Sequence, residues 1–120
     1  MNENENELER VERQIEISIE QARDSVNRKN MMDKIIQNRE FNELFTIGYL
    51  EKEPARLTSL LADSDWQTAE KQKEILDDLR AISGLRQYIM NIKAIGMQME
   101  NQISRSQQEL EGLRDEAEGE

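Results

Sequence analysis

The chain has no cysteine and no histidine among its 120 residues. Without cysteine there is no disulfide framework, no thiolate nucleophile and no zinc-thiolate cluster. A reducing compartment is compatible with that composition. Without histidine there is no histidine base, no serine–histidine triad and no histidine metal site. Aromatic residues make up only 4% of the chain, too few for a thick core. The single proline is Pro54, and there are five glycines, so little interrupts helices. No apolar run reaches the roughly eighteen residues of a membrane span. Residues 1–7 hold neither a basic region nor an apolar stretch, so no signal peptide is expected. No glycine-rich phosphate loop occurs, and the composition points away from an enzyme and from any cofactor.

What the chain has is charge and helical pattern. Charged residues are 35%, the hydrophobic fraction is 36% and the mean hydropathy is −0.89. That polarity suits long, solvated helices and a length of one domain. Net charge is −10, and it lies at the ends. Residues 2–12 carry five Glu and one Arg, and residues 109–120 carry six acids and one Arg. Acidic ends argue against duplex DNA or anionic lipid as partner, since both need basic surface.

The stretch from Ile75 to Leu113 organises the rest. Alternating steps of three and four give Ile75, Asp78, Ile82, Leu85, Ile89, Ile92, Gly96, Met99, Ile103, Ser106, Leu110 and Leu113. Such a seam marks a helix that packs along its length on another helix. A helix over 66–116 would be roughly 75 Å long at 1.5 Å per residue. Its seam needs cover from the same chain, another copy or a partner protein. The first half, with Leu76, Leu79, Tyr88 and Met90 beside the seam, is expected to be buried more widely. Gly96 in the seam reads equally as a close approach or as a tolerated weak position.

The chain before it supplies the cover. Leu8, Val11, Ile15, Ile19, Ala22 and Val26 form one face of a helix over residues 7–26, expected to continue to about Gln37. Asn27–Asn30 is its weak spot. Residues 38–65 read as a small helical knob holding Phe41, Phe45, Tyr49 and Leu50, with Trp66 at its end. Asn38 caps a short helix, Gly48 ends it with a positive-φ turn, and Pro54 opens the next. Ser64 with Gln67, or Asp65, is expected to cap the long helix. Residues 117–120 are left as an acidic tail. The expected fold is all-α: one domain, an antiparallel helical hairpin or coiled coil with the knob at its turn.

Few residues hint at chemistry. Asp63, Asp65 and Glu74 fall at the first, third and twelfth places of a calcium loop, but place six is Thr68 instead of glycine. Helix-capping acids are the better reading. Asp77 and Asp78 read as a solvated face. Met97 lies outside the seam and is a candidate for an exposed contact.

One stretch has a relative in kind. Phe41, Leu44, Gly48-Tyr49-Leu50, Glu53-Pro54-Ala55-Arg56-Leu57 and Leu60-Leu61-Ala62-Asp63, followed by Asp78-Leu79-Arg80-Ala81-Ile82 and Leu85-Arg86-Gln87-Tyr88-Ile89, resemble small helical proteins of tailed bacteriophages. Those proteins are encoded among virion structural genes. The resemblance covers residues 41–92 and implies a many-copy protein of the virion or of the bacterial host cytoplasm. It implies virion proteins or self as partners. It also makes Gly48-Tyr49-Leu50 with Arg56 a structural turn, Arg56 pairing with Glu53 or Asp63. The expected function is structural or assembly work by helix–helix packing. The alternatives are a small acidic inhibitor of a host protein, or a scaffolding chaperone that leaves the particle.

Overall fold

Two uninterrupted helices carry most of the chain. A computed structural model describes the backbone of residues 3–119 and the side chains of residues 6–119. Helix α1 covers Glu3–Gln37 and helix α4 covers Ala69–Glu118. Between them come α2 (Arg39–Phe41), a π-helix (Asn42–Lys52), α3 (Glu53–Leu61) and a 3-10 turn (Ser64–Trp66). No strand occurs among the described residues, so the class is the all-α one that the 3.6-residue periodicity demands. Helix α1 begins at Glu3, five residues before Leu8 opens its apolar face, because the intervening Glu and Asn residues include no helix breaker. Asn27–Asn30 lies inside unbroken helix.

The contacts divide the chain into two units. One is Met1–Asn30 with Ile92–Glu120, and the other is Met31–Asn91.

In the first unit, α1 and α4 pack antiparallel. Ile15, Ile19 and Leu110 form the buried line, and Ile103 and Leu113 pack against it. Ala22 is also buried, at 3% exposure. Farther along, Lys29 Nζ meets Glu100 Oε1 at 3.0 Å, and nearer the termini Arg114 reaches Glu16 at 3.5 Å. Partners thus fall in α4 as they rise in α1. Val11, expected on the covered face, is 43% exposed. Two helices cover only a narrow stripe of each other, and Val11 lies at its edge.

The second unit is built on Leu50, Leu57, Ile75 and Ile82. Tyr49, Leu60, Leu61, Trp66, Leu79 and Ile89 pack around them. Residues of the π-helix and α3 therefore cover the first half of α4, as the knob was expected to do. The wider burial is not found: Leu76, Tyr88 and Met90 are 42%, 53% and 60% exposed. Leu85 is at 36% and Asp78 is exposed. The covered face follows Ile75, Leu79, Ile82 and Ile89, spaced as one side of a straight helix. The strict seam positions 78 and 85 rotate to its border.

Three local expectations are corrected. Gly48 makes no turn: no glycine has positive φ, and Gly48 sits within the π-helix. A Cβ there would lie 3.0 Å from the Glu43 carbonyl oxygen, so glycine fits the close backbone of this wide helix. Helix α4 starts at Ala69 instead of Trp66. Its cap is Thr68, whose Oγ1 accepts from the Lys71 N–H at 3.3 Å; Ser64 and Asp65 instead belong to the 3-10 turn, capped by Asp63 accepting from Asp65 N–H at 2.8 Å. The turn comes first because the Trp66 side chain packs onto the second unit's core, and a continuous helix would carry it elsewhere.

Candidate functional site

The first unit presents two flanks, one on each side of its helix pair, and they differ in charge. One groove is lined by Glu16, Glu20, Arg23, Glu111 and Arg114 with Gln107. The other is lined by Val11, Gln14, Ile17, Ser18, Gln102 and Ser106, with Glu109 as its one charged group. Ile15 forms the floor of the less charged groove, and Ile19 with Leu110 the floor of the charged one. Helical geometry sorts the side chains: residues three, four and seven apart share a face. Ile17 is 51% exposed and lines the same groove as Val11.

The seam residues named from the sequence separate by unit. Ile15 and Leu110 are buried in the first unit; Leu8, Ile92, Met99, Ile103 and Leu113 are half-buried. Ile75 and Ile82 are buried in the second unit, with Ile89 half-buried against them. The seam is therefore mostly covered by the chain itself.

The knob aromatics also split. Phe41 and Phe45 stack on each other with centroids 5.0 Å apart, and Phe45 is 44% exposed. Tyr49 and Trp66 instead join the core around Leu50. Exposed Leu44, at 67%, is next to Phe45 in the chain. Asn38 caps this segment, its Oδ1 accepting from Phe41 N–H at 2.8 Å.

Arg56 is paired with Glu53, Nε donating to Oε2 at 3.0 Å. The hydrogen bond from Arg56, and then its charge, hold the Glu53 carboxyl below its usual range against the opposing effect of desolvation. The Arg56 guanidinium is raised in turn, first by its hydrogen bond to Glu53. This is a structural pair on one helical turn.

Several polar residues have roles that periodicity did not announce. Gln72 Nε2 donates to the carbonyls of Trp66 (2.7 Å) and Leu61 (3.2 Å). Gln67 Nε2 donates to those of Asp63 (2.6 Å) and Leu61 (3.0 Å). Together they satisfy the exposed end of α3 and the turn. Lys71 Nζ donates to the Asp65 carbonyl at 2.8 Å and lies 5.4 Å from the Trp66 ring centroid. Arg86 donates to the Leu50 carbonyl; the residue four positions on is Pro54, which has no N–H to give that carbonyl. A glutamine or arginine at a polar helix position carries no pattern that sets it apart from a solvated one.

Asp63 acts as a cap, and Glu74 lies in α4. No group of three or more acidic side chains positioned for a metal occurs among the described residues. No helix among them is long and apolar enough to cross a membrane. Compared with known proteins, the chain matches no family model, no curated protein and no solved structure.

Proposed function

We propose that this is a non-enzymatic structural or assembly protein of a bacteriophage particle, which works by packing its helices on protein partners. The observation that carries the packing part is the less charged flank of the first unit, where Val11 and Ile17 are exposed beside Ser18 and Ser106 and Glu109 is the one charged lining residue. A two-helix layer has no second side to cover such a groove, and bundles of this type fill it with further helices. The virion setting rests on the resemblance of residues 41–92 to small phage proteins. The acid concentrated in residues 2–12 and 109–120 disfavours nucleic acid as the ligand.

Quantitative mass spectrometry of purified particles tests this reading. A fixed copy number, tracking either the capsid or the portal protein, supports it and says which assembly the chain joins. Absence from mature particles overturns it and moves the assignment to a scaffold or a host-directed regulator. Ile103→Asp puts a charge on the half-buried packing line of the first unit and is expected to remove the protein from particles.

A further inference from the structure

The segment Asn42–Lys52 is wound more widely than its own residues require. It holds one glycine and no proline, so nothing within it forbids an α-helix. Yet all eleven residues are in the π form, which mostly occurs as single turns inside α-helices. At the segment's end the Glu53 N–H donates to the Gly48 carbonyl, five residues back. The register is therefore imposed from outside the segment.

Two groups are placed to impose it. An α turn would aim the Leu50 carbonyl at residue 54, which is Pro54. Proline has no N–H to offer, and its ring crowds the carbonyl four residues earlier. From α4, the Arg86 guanidinium donates to that same carbonyl and supplies the donor that Pro54 withholds. Gly48 makes the wide turns possible, since a Cβ there would lie 3.0 Å from the Glu43 carbonyl oxygen.

The register decides which side chains share a face. In the π form residues four and five apart follow one another, which sets Phe41, Phe45 and Leu50 in one line. Leu50 is buried, and Phe41 is half-buried and stacked on Phe45. In an α register anchored at Leu50, Thr46 and Ile47 take its side, with Glu43 one turn farther on. Phe45 and Phe41, five and nine residues before Leu50, fall roughly opposite it. They then join Leu44 and Gly48 at the i, i+3, i+4, i+7 spacing of a single stripe turned away from the core.

We propose that Pro54 and Arg86 form a register lock on Asn42–Lys52, holding back an α form that presents Phe41, Leu44 and Phe45 as one exposed stripe. The surface of this unit then has two forms, separated by the rewinding of one helix. The lock goes beyond the assembly reading and does not depend on it.

Hydrogen-bond scalar couplings, measured by nuclear magnetic resonance on the full-length chain, read the register directly. In the unaltered chain the Glu53 amide should couple to the Gly48 carbonyl. Pro54→Ala gives the Leu50 carbonyl an N–H at α spacing, and Gly48→Ala crowds the π turns. With both changes the Glu53 amide should couple to the Tyr49 carbonyl, and binding of anilinonaphthalene sulfonate should rise several-fold. Arg86→Ala alone keeps the proline and should bring microsecond-to-millisecond exchange to the amides of residues 42–53. Protected amides around Ile82 confirm that the unit stays folded.

Coupling that remains at Gly48 in the double variant overturns the proposal. So does loss of protection around Ile82 in both the double variant and Arg86→Ala, because the π form is then the only register in which the unit folds. Absence of exchange in Arg86→Ala overturns the part assigned to Arg86 and leaves Pro54 as the whole lock.

Discussion

The aliphatic stem of Lys29 lies in the notch left by Gly96. A Cβ built on Gly96 would stand 2.3 Å from Lys29 Cβ and within 2.9 Å of its Cγ. The Lys29 side chain is only 16% exposed, yet its ammonium reaches Glu100 at 3.0 Å. A lysine thus crosses the helix interface with its methylenes covered and its charge paired at the rim. Of the two readings of Gly96, close approach is the one realised, and the group that approaches is a side-chain stem.

Gly96→Ala should therefore destabilise the first unit even though alanine favours helix by roughly 1 kcal/mol. The closest clash is with the Lys29 Cβ, which is fixed to the backbone and cannot swing away, and overpacking of this kind costs typically 1–3 kcal/mol. Thermal unfolding should show a lower Tm for Gly96→Ala alone. Lys29→Ala in that background removes Cγ and Cδ and should recover part of the loss. Strict additivity of the two changes would show that the notch is not shared.

Ile75 and Leu85 belong to the same seam, at its two alternating positions, and differ in cover, at 1% and 36% exposure. Ile75→Ala is expected to lose about 2–5 kcal/mol, the range for emptying a closed core site. Leu85→Ala should lose well under half as much. Urea titrations of the two variants check this, and equal losses would mean that the repeat, rather than the knob's cover, sets the second unit's stability.

Gln72→Leu keeps the volume and removes the donor that serves the Trp66 and Leu61 carbonyls. Leaving partly buried carbonyls with one fewer donor costs on the order of 1–3 kcal/mol. Hydrogen exchange should rise first across residues 62–68, while amides around Ile82 stay protected. Uniform deprotection of the second unit would instead assign Gln72 to the core as a whole.

The Glu53 carboxyl is held below its ordinary value by Arg56. A depressed folded-state value means that the pair contributes above the ordinary glutamate range and fades as pH falls through the lowered one. The Glu53 side chain is one-third exposed, so solvent keeps the stability effect small. Arg56→Ala should return the Glu53 titration to the ordinary glutamate range, read from side-chain carboxyl shifts by nuclear magnetic resonance. An unchanged midpoint would show that Arg56 does not hold it.

The helices and most of their packing faces were legible in the residues. Period is a local property: Ile15, Ile19, Ala22 and Leu110 declare a covered side wherever their helices lie, and nothing between Glu3 and Gln37 forbids helix. The caps at Asn38 and the start at Pro54 were legible for the same reason, since each satisfies or spares a backbone group within one turn. Tertiary structure alone decided where cover ends. Leu85 and Val11 have the right spacing, but a narrow helix contact leaves them at its border. It also decided that Gly48 stays helical, because the wide turns of a π-helix depend on what the segment packs against. The difference between the two flanks needs both helices at once. Charge on α1 and α4 becomes one face or two only when their antiparallel pairing sets Ser18 and Ser106 on one side and Glu16 and Arg114 on the other.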